Sequence, residues 1–236
     1  MLPTDEALLD NPAYAALCGA HARFAQVRGR ARRYPVDVAP FLALPSAPSA
    51  QDWRDAAGLV APGTYAAVRH SGAELPDAWY AVEAFDLVQM IGERVTGINC
   101  SEAVPLVAAD VPEMLELVAQ TKPGPFLART VELGDYLGIR CNGILVAMAG
   151  ERFHLDGWTE ISAVCTKPDY RGRGLASRLV GALIAGIQLR SQHVFLHVLS
   201  ANTGAIRIYE ELGFRVRQTA TITIVTRKPS SPTPVQ

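Results

Sequence analysis

Arg171, Gly172, Arg173 and Gly174 bring two cations and two glycines together in four residues, with Lys167 just upstream. The apolar, β-branched run Ile161 to Thr166 precedes them and is broken by Pro168 and Asp169. From Leu175 onward, Leu175, Leu179, Leu183 and Ile187 fall on one helical line. Strand, basic glycine turn and helix start together suit anion binding. A helix start has unpaired N–H groups and the positive end of the dipole, and glycine lets an anion approach the backbone. The plain alternative is a solvated basic turn opening a surface helix. Two nucleotide-binding patterns fit poorly. No Lys-Ser or Lys-Thr follows the glycines as a P-loop needs, and Ser177 stands where G-x-G-x-x-G needs its third glycine.

Another pattern fits. Arg171-Gly-Arg-Gly174-Leu-Ala176 matches R/Q-x-x-G-x-G/A, and Asn202 to Phe214 matches N-x-x-A-x-x-x-Y-x-x-x-G-F. On these two blocks the chain resembles the GNAT-superfamily N-acetyltransferases over residues 101–228. The resemblance implies that Arg171, Gly172, Arg173, Gly174, Leu175 and Ala176 hold the pyrophosphate of acetyl-CoA. It implies that backbone groups of Val164, Cys165 and Thr166 pair with the pantetheine like an added strand. An N–H at Val164 or Cys165 would polarise the thioester carbonyl. Tyr209 matches the tyrosine that protonates the leaving thiolate, its alternative being aromatic packing on an amphipathic helix. Asn202 would bind the pantetheine arm or cap its own helix. Glu160 is the expected general base, with a structural or substrate-orienting role as the alternative; His197 and His154 rank behind it.

The expected reaction is acetyl transfer from acetyl-CoA to a primary amine of a small molecule or peptide, by direct attack in a ternary complex. Other acyl-CoA donors, or a CoA-binding regulatory module whose catalysis has lapsed, are the competing readings. No metal is expected: the cysteines at 18, 100, 141 and 165 are scattered, without zinc spacing, and read as reduced thiols. The 236 residues carry a formal net charge of −1, which argues against a general nucleic-acid binder. The cluster Arg28 to Arg33 is the one basic patch that points the other way, and a solvated linker is the favoured reading of it. No apolar run is long enough for a membrane helix and no secretory signal opens the chain, so a cytoplasmic protein is expected. Oligomeric state is left open, a homodimer included.

These residues must be positioned by an α/β (α+β) fold, a mixed central sheet flanked by helices. Strands are expected at 102–107, 135–141 and 144–152, the last two around the hairpin signal Asn142-Gly143. Further strands are expected at 157–166, 193–199, 214–217 and 219–226. Helices are expected at 110–119 with Asp110 as cap, from 175 to about 190, and at 202–212 stopped by Gly213. Residues 1–100 are expected as an N-terminal accessory α/β region, with a degenerate half resembling the C-terminal one as an option. Within it, 11–27 reads as one helix, 51–59 as a short helix, and 63–69, 79–83 and 86–91 as strands. Residues 229–236 are expected as a disordered tail.

Overall fold

A computed structural model describes residues 5–69 and 74–228; the expected tail, His70 and part of the turn expected after it lie outside them. The chain opens with a 3-10 turn and α1 (Pro12–Cys18), with Pro12 in the first turn, where its missing N–H costs nothing. The helix expected to reach Val27 stops at Cys18. Gly19 takes φ −120° and ψ −114°, outside the helical region, and the chain then enters β1 (Gln26–Arg28) and β2 (Ala31–Arg33). Gly29, at φ +52°, turns this ribbon, and β3 (Leu42–Ala43) completes a small three-stranded sheet.

The arginines of this ribbon brace it. Arg30 binds Asp52 through Nε at 2.9 Å and Nη2 at 2.6 Å. Arg33 is buried and donates to the carbonyls of Leu59 and Tyr65. Arg32 donates to the Tyr14 hydroxyl and lies over its ring. The partner Asp52 sits on α2 (Ala50–Ala57), where Ser49 and Asp52 form a capping box.

Next come β4 (Tyr65–Arg69), β5 (Trp79–Gly92) and β6 (Ala103–Leu106), then α3 (Val111–Thr121). Asp110 does not cap α3 with its side chain. Its Oδ2 accepts from Val107 N–H and its Oδ1 from Arg140, tying the helix start to the sheet. A hairpin follows, β7 (Tyr136–Cys141) and β8 (Ile144–Leu155), turned by Asn142 and Gly143, both at positive φ as a type I′ turn requires. Then come β9 (Trp158–Thr166), α4 (Leu175–Leu189), β10 (His193–Leu199), α5 (Thr203–Glu211) and β11 (Arg215–Arg227). Gly213, at φ +95°, ends the α5 segment.

Eight strands form one sheet in the order β4-β11-β5-β10-β9-β8-β7-β6. Two readings change here. Segments expected as separate strands at 79–83 and 86–91 are one strand, and those expected at 214–217 and 219–226 are another. In β11 the join falls at a register shift between Val216 and Gln218, while β5 runs through its join in regular register and carries its own shift at Val82, opposite Ile224/Val225. The region before residue 100 also contributes strands to the same sheet as the motif-bearing elements. β5 lies inside the sheet, antiparallel to β10 on one side and to β11 on the other. It reads poorly from sequence because Glu83 and Asp86 interrupt its apolar pattern.

Helix α4 packs on one face of the sheet, where Leu179, Leu183 and Ile187 meet Val194, Leu196 and Val198. The N-terminal segment covers part of the other face, where Leu9, Leu17 and Tyr34 meet Ile91, Phe195 and Trp158. Alternation along β10 therefore gives Leu196 and Val198 to the α4 side, and Phe195 and His197 to the N-terminal side.

Candidate functional site

The sheet splits at its centre. β9 and β10 run parallel from His193↔Trp158 to Leu196↔Ile161, and there the pairing ends. β9 continues to Thr166 against β8, and β10 continues to Leu199 against β5. At the fork Ala163 takes φ +53°, and the β8–β9 register shifts between Met148↔Cys165 and Gly150↔Ser162. This bulge turns β9 away, leaving Ser162 to Thr166 without a partner strand on the β10 side. Such an edge offers N–H and C=O groups to an added extended chain.

The fork opens into a cavity of about 1050 Å³. Of the residues singled out from sequence, Val164, Cys165, Thr166, Arg171, Ala176, Asn202 and Tyr209 line it. Gly172 and Gly174 sit beside it with φ +74° and +70°, a backbone that side chains rarely adopt. Gly174 is the N-cap of α4 and has no side chain to satisfy the first N–H groups of that helix. Arg171 Nε reaches back to the Thr166 carbonyl at 3.3 Å, and Arg173 lies over the Tyr170 ring. Leu175 is instead a core residue under the helix start. Asn202 accepts from Ala205 N–H at 3.1 Å and so caps α5.

Tyr209 packs edge-on to Phe214 at 5.8 Å between centroids. Burial pushes its phenol up to about 12, so it keeps its proton at neutral pH. Burial likewise pushes the Cys165 thiol up to about 11, so it stays a protonated, unreactive thiol at neutral pH.

Glu160 is fully buried and does not line the cavity. Its oxygens meet Arg152 Nε at 2.7 Å and Nη2 at 2.6 Å, and His197 Nδ1 at 2.6 Å. Burial pushes the carboxyl up, but the Arg152 charge and hydrogen bonds, with those of His197, outweigh it and hold it at about 2. A carboxylate held there is a weak proton acceptor, which does not suit the base role expected for it. Arg152 and His197 do line the cavity. On the other side of the ring, His197 Nε2 is 3.1 Å from Gln89 Nε2. Arg217 donates to Gln89 Oε1, and Gln89 Nε2 donates to the Leu9 carbonyl, so the amide can only present N–H to the imidazole. The network therefore assigns the proton to Nδ1, donated to Glu160, and the lone pair to Nε2. His154, the third candidate, lies apart from this wall, 3.3 Å from Glu151 and ring to ring with His21.

Sequence reasoning missed Gln89, Arg152 and the roof of the cavity, which Asn11 to Ala13 and Pro40 to Leu44 supply. No motif marks them. They come from segments far apart in sequence, and the roof is hooked to the sheet by the Phe41↔Ala67 bridge, the 2.8 Å bond from Ala67 N–H to the Pro40 carbonyl, and Phe41 packed on Phe153 and under Arg152.

Comparison with known proteins places this architecture. The FR47-like protein family matches residues 136–223, the stretch from β7 through β11. A crystal structure of a GNAT-family protein from Novosphingobium aromaticivorans DSM 12444 superposes with a TM-score of 0.84 and is 35% identical, covering 94% of this chain and 99% of that one. A GCN5-related N-acetyltransferase from Kribbella flavida shares the fold at TM-score 0.62 and 17% identity, over 92% and 95% of the two chains. The uncharacterized protein ML0378 of Mycobacterium leprae (strain TN) is 34% identical over 122 residues; that stretch is 46% of this chain and only about a third (33%) of the relative's length. With a likeness of that identity spanning both chains end to end, the protein belongs to the GNAT acetyltransferase family.

Proposed function

We propose that the protein transfers an acetyl group from acetyl-CoA to a primary amine by direct attack in a ternary complex. The observation that carries this reading is the unpaired edge of Ser162 to Thr166, opening onto the same cavity as Tyr209. In this reading the edge pairs with the pantetheine arm, and the glycine turn with the uncapped start of α4 takes the pyrophosphate. The N–H of Val164 or Cys165 receives the carbonyl oxygen as charge gathers on it during attack by the amine nitrogen. When the C–S bond breaks, the Tyr209 phenol gives its proton to the departing sulfur and recovers one from solvent.

The proton lost by the amine goes to the imidazole of His197, which lines the cavity, in place of Glu160. Glu160 and Arg152 are then positioning residues that fix the ring and its tautomer, and Gln89 yields its contact on protonation. The N-terminal segment roofs the chamber where the amine enters.

Acetyl-CoA in excess should raise the thermal midpoint of the protein, and no shift would sink the reading. Tyr209→Phe should lower turnover by about 10²–10⁴-fold while leaving acetyl-CoA affinity near that of the parent. Equal losses in both would make Tyr209 a binding residue. His197→Gln should lower turnover by about 10²–10⁴-fold while leaving acetyl-CoA affinity near that of the parent, whereas unchanged turnover would return the base to another group.

A further inference from the structure

Arg69 ends β4 on the cavity wall, and its guanidinium meets no carboxylate among the described residues. Its one hydrogen bond there is a long one, 3.4 Å from Nη2 to Gln218 Oε1, and Nη1 is buried with no partner among the described residues. The acid whose charge reaches it, Asp10, is already bonded to Arg217 at 2.8 Å. Arg152, which also lines the cavity, is matched through Nε and Nη2 by Glu160. A cation partly removed from water without a counter-ion is costly to keep unless a ligand supplies one.

The surroundings narrow the ligand. Arg69 pairs with Ile222 and Ile222 with Phe85, so the guanidinium rises from an apolar row of the sheet. In the next row Ala67 pairs with Ile224 and Ile224 with Glu83, which lines the same wall and forms no ion pair among the described residues. On this stretch of the sheet one unmatched cation and one unmatched anion disfavour a multiply charged phosphate and suit a single carboxylate, which a guanidinium grips in a bidentate fork. β4 lies three strands from β10, and the row of Arg69 lies four residues along β5 from Gln89, the partner of His197. At about 4.8 Å per strand and 3.4 Å per residue, their backbones stand roughly 20 Å apart.

We propose that the amine acceptor carries a carboxylate at the end remote from the reacting amine, and that Arg69 is the residue that holds it. Peptides and ω-amino acids have this layout; an α-amino acid acetylated on its own α-amine does not. The inference rests on the N-acetyltransferase reading above.

The test uses matched pairs that differ only in that charge: triglycine against triglycine amide, and 6-aminohexanoate against 6-aminohexanamide. Each is assayed with acetyl-CoA by thiol release, and for binding by calorimetry. The carboxylate member should be favoured at least tenfold in kcat/KM. Arg69→Gln should erase that preference through KM without lowering the thermal midpoint, since an unmatched cation is lost, and Arg69→Lys should keep part of the preference. Equal use of both members overturns the proposal, as does a panel in which no carboxylate member is acetylated or bound. So does an Arg69→Gln variant that melts earlier and loses activity on both members alike. Stabilisation by acetyl-CoA, measured on the same samples, separates this failure from failure of the transferase reading.

Discussion

At the scale of the residue, Glu160 and Arg152 show how a buried charge can be secure without being reactive. Glu160 is fully buried and Arg152, at the cavity wall, is 11% exposed, with its guanidinium over the rings of Phe41 and Phe153. Glu160→Gln should cost about 3–5 kcal/mol, because the arginine would keep its charge and lose its counter-ion. Urea denaturation reads this directly, and a cost under 1 kcal/mol would mean that water reaches Arg152. The folded carboxyl, at about 2, lies below its ordinary 4.5. The pair's stabilisation is therefore complete above pH 4.5 and is lost as pH falls through 2. His21 acts in a higher window. Burial, followed by the charges of His154 and Arg23, outweighs a bond to the Leu133 backbone and lowers it to about 4 from 6.5. Its Nδ1 pairs with the Tyr34 hydroxyl at 2.8 Å. Between pH 6.5 and 4 the unfolded chain takes up the proton and the folded one does not, so stability should fall by about 3 kcal/mol across that range. His21→Gln should flatten this part of a pH–stability curve, and an unaltered slope would contradict the assignment.

At the scale of the element, β9 carries the fork in a single residue. Ala163 sits at φ +53°, which costs an L-residue about 1–2 kcal/mol. Ala163→Val should add strain, lower stability and weaken acetyl-CoA binding, while Ala163→Gly should be tolerated. Circular dichroism melts with and without acetyl-CoA compare the two, and a tolerated valine would mean that the bulge is not fixed by this residue. Alanine carries no turn signal, so nothing in the sequence marks the bulge. By contrast Asn142-Gly143, Gly174 and Gly213 stand where the backbone turns left-handed, and those places were legible. So were the elements bearing the two motif blocks, because their strands and helices keep clean periodicity. Glu160 was legible as an acid on the right strand, but its partner Arg152 is eight residues away across a register-shifted hairpin, so its locked state was not.

At the scale of the whole molecule, the sheet does not divide where the motifs begin. Without residues 1–100 the chain would lack β5, and β10 and β11 would each lose the neighbour that lies between them. A fragment of residues 101–228 should therefore show no cooperative unfolding transition, and a fragment that melts sharply would support a domain boundary at 100. The N-terminal region is thus both a wall of the sheet and a roof over the cavity, a dual role invisible to composition because it depends on which distant strands meet.

The central place of β5 also sets an order of assembly during synthesis. Trp79 pairs with Arg227, among the last described residues to leave the ribosome. Until then β5 can join β10 but has one bare side, and an open strand side is where growing chains stick to one another. Pairings so distant in sequence close slowly. Production of this protein should therefore depend on how long growing chains wait between β5 and β11, and slowing translation at constant temperature should lower the soluble fraction.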